Sequence, residues 1–104
     1  MIFIETPVFT KRLRDLLDDE SYSALQRQLA AHPDMGDVIQ GTGELRKIRV
    51  ASSGRGKRGG ARVIYYHFVS ASRIALLLIY AKNEKDDLST DERKALKRII
   101  EQWR

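Results

Sequence analysis

The stretch IALLLIYA, from Ile74 to Ala81, constrains this chain more than any other. It is apolar on both alternating faces. At eight residues it is far shorter than the roughly 20 that a membrane-spanning helix needs. A strand of this kind belongs in the middle of a sheet, with apolar layers packed on both of its sides. The rest of the chain must supply that cover.

The flanking patterns supply it. IFIE, from Ile2 to Glu5, is a short β-prone start. Thr6 then reads as a helix N-cap and Pro7 as the first helical residue, where a missing N–H is no loss. Phe9, Leu13, Leu16 and Leu17 follow at helical spacing. A second helix is expected over 19–32, capped by Asp18, with Tyr22, Leu25 and Leu29 on its apolar face. His32-Pro33 ends it, because a residue before proline is pushed out of the α region. PDMGDVIQGTGE reads as a loop. Strands are expected at about 45–51, 61–69 and 73–82, the last two joined by a tight turn at Ser70–Ser72. A final helix is expected over 90–103, opened by a Ser89-x-x-Glu92 capping box and carrying the stripe Leu96, Ile99, Ile100 and Trp103. This order predicts an α+β fold: a small antiparallel sheet of about four strands with two N-terminal helices and one C-terminal helix. The 104 residues are expected to form one domain.

Composition narrows the chemistry. At 42% apolar and 32% charged residues the chain is globular rather than disordered. It has no cysteine, which excludes disulfides, a thiol nucleophile and a cysteine metal site. MIFIETPVF has neither the basic start nor the apolar run of a signal peptide, so the expected location is cytoplasmic.

The net charge of +5 is unevenly placed. Residues 44–68 hold seven basic side chains and one acid, Glu44, a net of +6; the remainder holds twelve basic and thirteen acidic, a net of −1. Like charges gathered on two strands and their connection repel one another unless an anion lies against them. A local excess of this kind is the electrostatic footprint of a polyanion partner.

Several motifs lead elsewhere and fail. Gly54-x-Gly56-x-x-Gly59 matches a dinucleotide fingerprint, but a strand follows where a helix N-terminus is required. A phosphate P-loop also fails, because Gly60 stands where lysine is needed. The segment reads better as a glycine-rich hairpin connection with basic tips. His32 and His67 lie in different elements, without a recognisable acidic partner. Glu84, Asp86 and Asp87 suggest a metal site, yet acids just before a helix also favour its dipole.

The strand faces are more informative. Alternation puts Leu45, Lys47 and Arg49 on one side, with Arg46, Ile48 and Val50 on the other. Arg62 shares a face with Ile64, Tyr66 and Phe68, and Tyr80 with Lys82. If the sheet brings these strand ends together, Lys47, Arg49, Arg62, Tyr80 and Lys82 converge on one concave patch. The bland alternative is a solvated basic face with Tyr80 half-buried. A patch without cysteine, metal or paired histidines still suits RNA, which carries its own nucleophile in the 2′-OH. Cleavage then requires the phosphate to be held in line, its charge neutralised and two protons moved. Arginine suits the phosphate, and a lysine or tyrosine beside other cations suits the proton transfers.

LRKIRV, the glycine-rich connection, GGARVIYYHF and LLLIYAKNEKDDLSTDE, followed by a terminal helix, resemble the RelE/HigB-type toxins of bacterial toxin–antitoxin pairs. The resemblance covers nearly the whole chain and is closest over 43–102. It implies a ribosome-dependent endoribonuclease that cuts mRNA in the A site without a metal or other cofactor. It also implies inhibition by an antitoxin, expected to be a HigA-like helix-turn-helix protein, and a monomeric free toxin. Lys47 and Arg49 match the family's basic pair before the loop, Arg62 its arginine on the next strand, and Tyr80 and Lys82 its aromatic and lysine on the third. On this reading Arg62, Lys82 and Tyr80 are catalytic, while Lys47, Arg49, Arg46, Arg55, Lys57 and Arg58 bind RNA, the last three gripping ribosomal RNA. Asn83 and Ser89 stand where RelE relatives carry an arginine and a tyrosine, which leaves the general base open between Lys82 and Tyr80. Two alternatives remain: a gyrase inhibitor of the ParE branch, and a nonenzymatic RNA-binding module.

Overall fold

The structure, a computed structural model, describes residues 1–51, 60–85 and 87–103. The element order is β1 (Ile2–Glu5), α1 (Pro7–Leu16), α2 (Asp19–Ala31), β2 (Asp37–Val38), β3 (Arg46–Val50), β4 (Ala61–Phe68), β5 (Arg73–Ala81) and α3 (Thr90–Trp103). A short 3-10 turn, Val69–Ala71, joins β4 to β5.

Each helix begins where its cap dictates. The Thr6 hydroxyl accepts from the Phe9 N–H at 3.1 Å, and the Asp18 carboxylate from the Ser21 N–H at 2.7 Å. Ser89 and Glu92 close a reciprocal capping box. The Ser89 N–H donates to Glu92 Oε1 at 2.9 Å, and the Glu92 N–H donates to Ser89 Oγ at 3.1 Å. Such caps satisfy N–H groups that a helix start leaves without partners, each typically worth about 1 kcal/mol.

The α+β class and the three helices match the expectation, while the sheet is larger and mixed. Five strands run in the order β1-β5-β4-β3-β2. β1 pairs parallel to β5, Ile2 opposite Arg73 through Glu5 opposite Leu76. The other pairings are antiparallel. β2, only two residues long, lies within the segment expected to be loop.

β5 is an interior strand, between β1 and β4, and is covered on both sides, as its composition demands. On one face Ile74, Leu76, Ile79 and Ala81 pack with Val63, Tyr65 and Ile48 against Phe9 and Leu16 of α1 and Leu25 and Leu29 of α2. On the other, Ala75, Leu77 and Tyr80 pack with Leu45, Ile64 and Tyr66 against Leu96 and Ile100 of α3. Truncating any one of these core leucines or isoleucines to alanine should cost about 2–5 kcal/mol. Trp103 is 43% exposed and rests on Phe68, with ring centroids 6.3 Å apart.

A bulge in β5 sets which side chains share a face. Ile64 lies opposite Leu78, but Tyr65 lies opposite Leu76, so Leu77 has no cross-strand partner in this ladder. Before the bulge, Ile74 and Leu76 face α1 and α2. After it, Ile79 and Ala81 do. The extra residue thus turns Tyr80 toward the α3 side, the side of Ile64. Unbroken alternation from Ile74 would have turned it the other way.

Candidate nucleic-acid cleft

At the end of the sheet where β3 and β5 finish and β4 begins, side chains line up in rows. Arg49 stands opposite Arg62, and Arg62 opposite Tyr80. In the neighbouring row Asp37 stands opposite Lys47, and Lys47 opposite Ile64. Asp37, Lys47, Arg49, Arg62 and Lys82 together line a cleft of about 490 Å³. Four cations thus share one depression, two of them arginines directly across a ladder, where like charges ordinarily destabilise.

The cations differ in setting. Arg62 is only 6% exposed, and its Nη1 donates to the Ala61 carbonyl at 3.3 Å. Arg49 is exposed. The Lys47 ammonium reaches Asp87 Oδ1 at 3.4 Å, and Asp87 Oδ2 is 3.2 Å from Arg93 Nη2 on α3. Burial by itself would raise the Asp87 carboxyl. The Leu88 N–H and the charges of Lys47 and Arg93 outweigh that effect and hold it below its ordinary value.

Lys82 sits in a tightly bonded turn. Its N–H donates to the Gly60 carbonyl at 3.1 Å, and the Glu84 N–H to the Ala81 carbonyl at 3.0 Å. Gly60 has φ +70, and a Cβ there would lie 2.3 Å from the Val50 carbonyl oxygen. Only glycine suits both the left-handed backbone and this close approach.

Tyr80 and Arg46, also expected in the site, are placed elsewhere. Tyr80 is 2% exposed and does not line the cleft; Lys85 Nζ lies 5.0 Å from its ring centroid. Arg46 is on the opposite face, where Nη1 donates to the carbonyls of Gly36 (2.7 Å) and Asp34 (3.0 Å). Arg55, Lys57 and Arg58, with the Gly54–Gly59 motif, lie outside the described residues, as does Asp86. His67, half-buried on β4, borders a separate depression with Asp34, Glu44 and Arg46. Glu84 pairs with Arg12. Among the described residues no three His, Cys, Asp or Glu side chains gather as metal ligands, and no helix is long and apolar enough to cross a membrane.

Asp37 is the cleft residue that sequence reasoning missed. A two-residue strand has no periodicity to detect. The one local signal is Gly36 before it, where a Cβ would lie 2.8 Å from Tyr65 Oη and 2.9 Å from the Lys47 carbonyl oxygen.

An α+β fold that concentrates four cations in one cleft at the end of its sheet has an electrostatic character suited to a polyanion. The family model described as the RelE toxin of the RelE/RelB toxin–antitoxin system matches residues 5–104. The chain therefore belongs to the RelE toxin family. Its members are generally ribonucleases that inhibit translation, and membership implies an antitoxin as partner.

Proposed function

We propose that this toxin is a metal-independent endoribonuclease that cuts mRNA in the ribosomal A site, by attack of a 2′-OH on the adjacent phosphate. The observation that carries the reading is the convergence of Lys47, Arg49, Arg62 and Lys82 on one cleft, with Arg49 and Arg62 directly opposed. A phosphate between the two guanidinium groups would be held by both of them.

In this reading Arg62, already desolvated, holds the non-bridging oxygens of the scissile phosphate. Arg49 and Lys47 bind the flanking backbone. Fixed cations then offset the charge that develops during attack, the largest single contribution in such sites. The Lys82 ammonium donates a proton to the departing 5′-oxygen. Tyr80 is opposite Arg62 in the ladder and its hydroxyl is buried. Its part is to hold that end of the sheet behind Arg62. The basic residues Arg55, Lys57 and Arg58 bind ribosomal RNA, and a HigA-like helix-turn-helix antitoxin silences the toxin in the cytoplasm.

The test is a primer-extension map of mRNA 5′ ends in reconstituted translation, with and without ribosomes. New ends in register with the reading frame, seen only with ribosomes present, are expected. Intact mRNA under active translation would overturn the reading and direct attention to gyrase supercoiling.

A further inference from the structure

Cleavage through a 2′-OH needs a group that takes a proton, and among the described residues four of the five side chains lining the cleft are lysine or arginine. In their ordinary protonated forms these donate and have no lone pair to offer. The fifth, Asp37, carries a carboxyl group, whose ionised form accepts and does not donate.

We propose that Asp37 is the general base of the cleft. This rests on the ribonuclease reading above and supplies the proton acceptor that reading lacks. Three observations support it. Asp37 stands opposite Lys47 in an antiparallel pair, so the two side chains project from the same face, with Cβ atoms about 5 Å apart. Lys47 nevertheless directs its ammonium to Asp87, and the Asp37 carboxylate is not drawn into that ion pair. The backbone leading into Asp37, itself exposed, is also held by side chains of β3 and β4. The Gly36 N–H donates to Tyr65 Oη at 2.9 Å, and Tyr65 Oη donates to the Pro33 carbonyl at 2.8 Å. Arg46 holds the Asp34 and Gly36 carbonyls from the same side. A base must be held within a fraction of an ångström of its proton, and these four bonds fix the approach to Asp37.

The step balances without a co-reactant. Asp37 takes the proton of the 2′-OH as its oxygen bonds to phosphorus. The bond from phosphorus to the 5′-oxygen breaks, and Lys82 supplies that oxygen with a proton. The products are a 2′,3′-cyclic phosphate and a 5′-hydroxyl, and both side chains re-equilibrate with water. The charged groups around Asp37 are Lys47 and Arg49 from β3, Arg62 from β4, Lys82 beyond β5 and Asp34 from its own loop. Asp87 is paired with Lys47, and the Tyr65 hydroxyl accepts from the Gly36 N–H.

The experiment compares wild type, Asp37→Asn and Asp37→Glu in single-turnover cleavage of ribosome-bound mRNA from pH 5 to 8. Ribosome binding is read separately with mRNA carrying a 2′-deoxy nucleotide at the scissile position. Loss of a general base should lower the asparagine variant's rate by about 10²–10⁴-fold, with binding unchanged or tighter. The wild-type rate should fall toward acid pH, and the asparagine variant should lack that limb. The glutamate variant should recover part of the rate. A folded asparagine variant cutting within threefold of wild type, or a glutamate variant no faster than asparagine, overturns the assignment of Asp37 alone. Wild-type protein that leaves mRNA intact overturns the ribonuclease reading and the base with it.

Discussion

Arg12 on α1 grips Glu84, in the turn beyond β5, with both prongs of its guanidinium: Nη2 to Oε1 at 2.6 Å and Nη1 to Oε2 at 3.1 Å. Glu84 Oε1 also accepts from the Ala81 N–H at 3.0 Å. One carboxylate thus ties α1 to the turn that carries Lys82. The hydrogen bond to Glu84 raises the Arg12 guanidinium above its ordinary value, against the opposing effect of burial. Both side chains are more than a third exposed or close to it, so solvent screens the pair, and it adds only about 0.5–1 kcal/mol.

Arg12→Ala is therefore expected to lower Tm by only a few degrees, yet to slow mRNA cleavage about tenfold by loosening Lys82. Amide hydrogen exchange at Lys82, whose N–H bonds to Gly60, should quicken in the variant. In a Lys82→Ala background the same substitution should leave the residual cleavage rate unchanged. A further tenfold loss there would show that Arg12 acts through something other than Lys82.

Arg62→Ala should abolish growth arrest and reduce cleavage by about 10²–10³-fold, the size of effect seen when one preorganised charge-stabilising donor is removed. The side chain is nearly buried, so circular dichroism and a melting curve must accompany the assay. Arg62→Lys keeps the charge but not the fork and should recover only a small part of the activity. A folded, fully toxic Arg62→Ala protein would remove Arg62 from the site.

Stability should decline in acid through Asp87 and Glu92. The hydrogen bond from Lys85, then that from the Ser89 N–H, hold Glu92 low; Leu88 N–H, Lys47 and Arg93 do so for Asp87 against burial. For a carboxyl lowered on folding, the stabilisation is complete above the unfolded value, about 4. It disappears as pH falls through the folded value. Both groups are partly exposed, so each contributes well under about 1 kcal/mol. Melting curves from pH 7 to 2.5 should show the loss below about pH 4, smaller in Asp87→Asn. An unchanged slope in that variant would discount the Lys47–Asp87–Arg93 bridge.

Gly60→Ala forces a side chain onto a φ of +70 and against the Val50 carbonyl. A loss of about 1–3 kcal/mol is expected, read as a lower midpoint in urea with an unchanged m-value. Stability equal to wild type would mean that the backbone at Gly60 relaxes at no cost.

Replacing Lys57 and Arg58 with alanine should weaken ribosome binding and reduce the salt dependence of log K by about 1–2 in slope, while leaving the cleavage rate of bound complexes intact. Unchanged co-sedimentation with ribosomes would take both residues out of the interface.

Much of the fold is local and was legible. Thr6, Asp18 and Ser89 announce helix starts because a cap bonds to N–H groups two or three residues away. The stripe Tyr22, Leu25 and Leu29 faces the core for an equally local reason, the 3.6-residue turn. The pairing of β1 with β5 was not legible. It joins residues about 70 positions apart, and nothing in IFIE distinguishes that neighbour from another. Arg46 and Lys47 show the same division within one strand: alternation separates their faces, but only the Gly36 and Asp34 carbonyls make Arg46 a brace for the Asp37 loop.

What the sequence determined by itself is composition and period: a doubly buried strand, its helical cover and an excess of positive charge on β3, β4 and their connection. What only the tertiary structure decided is which side chains share the cleft. The bulge at Leu77 reverses the facing of every later residue in β5 and brings Tyr80 to the side of Arg62. β2, two residues long, adds Asp37 to the same depression. The physical reason is that period belongs to a strand's own backbone, whereas register belongs to the hydrogen-bond ladder it shares with its neighbour. One residue of slip in that ladder moves each following side chain to the other face.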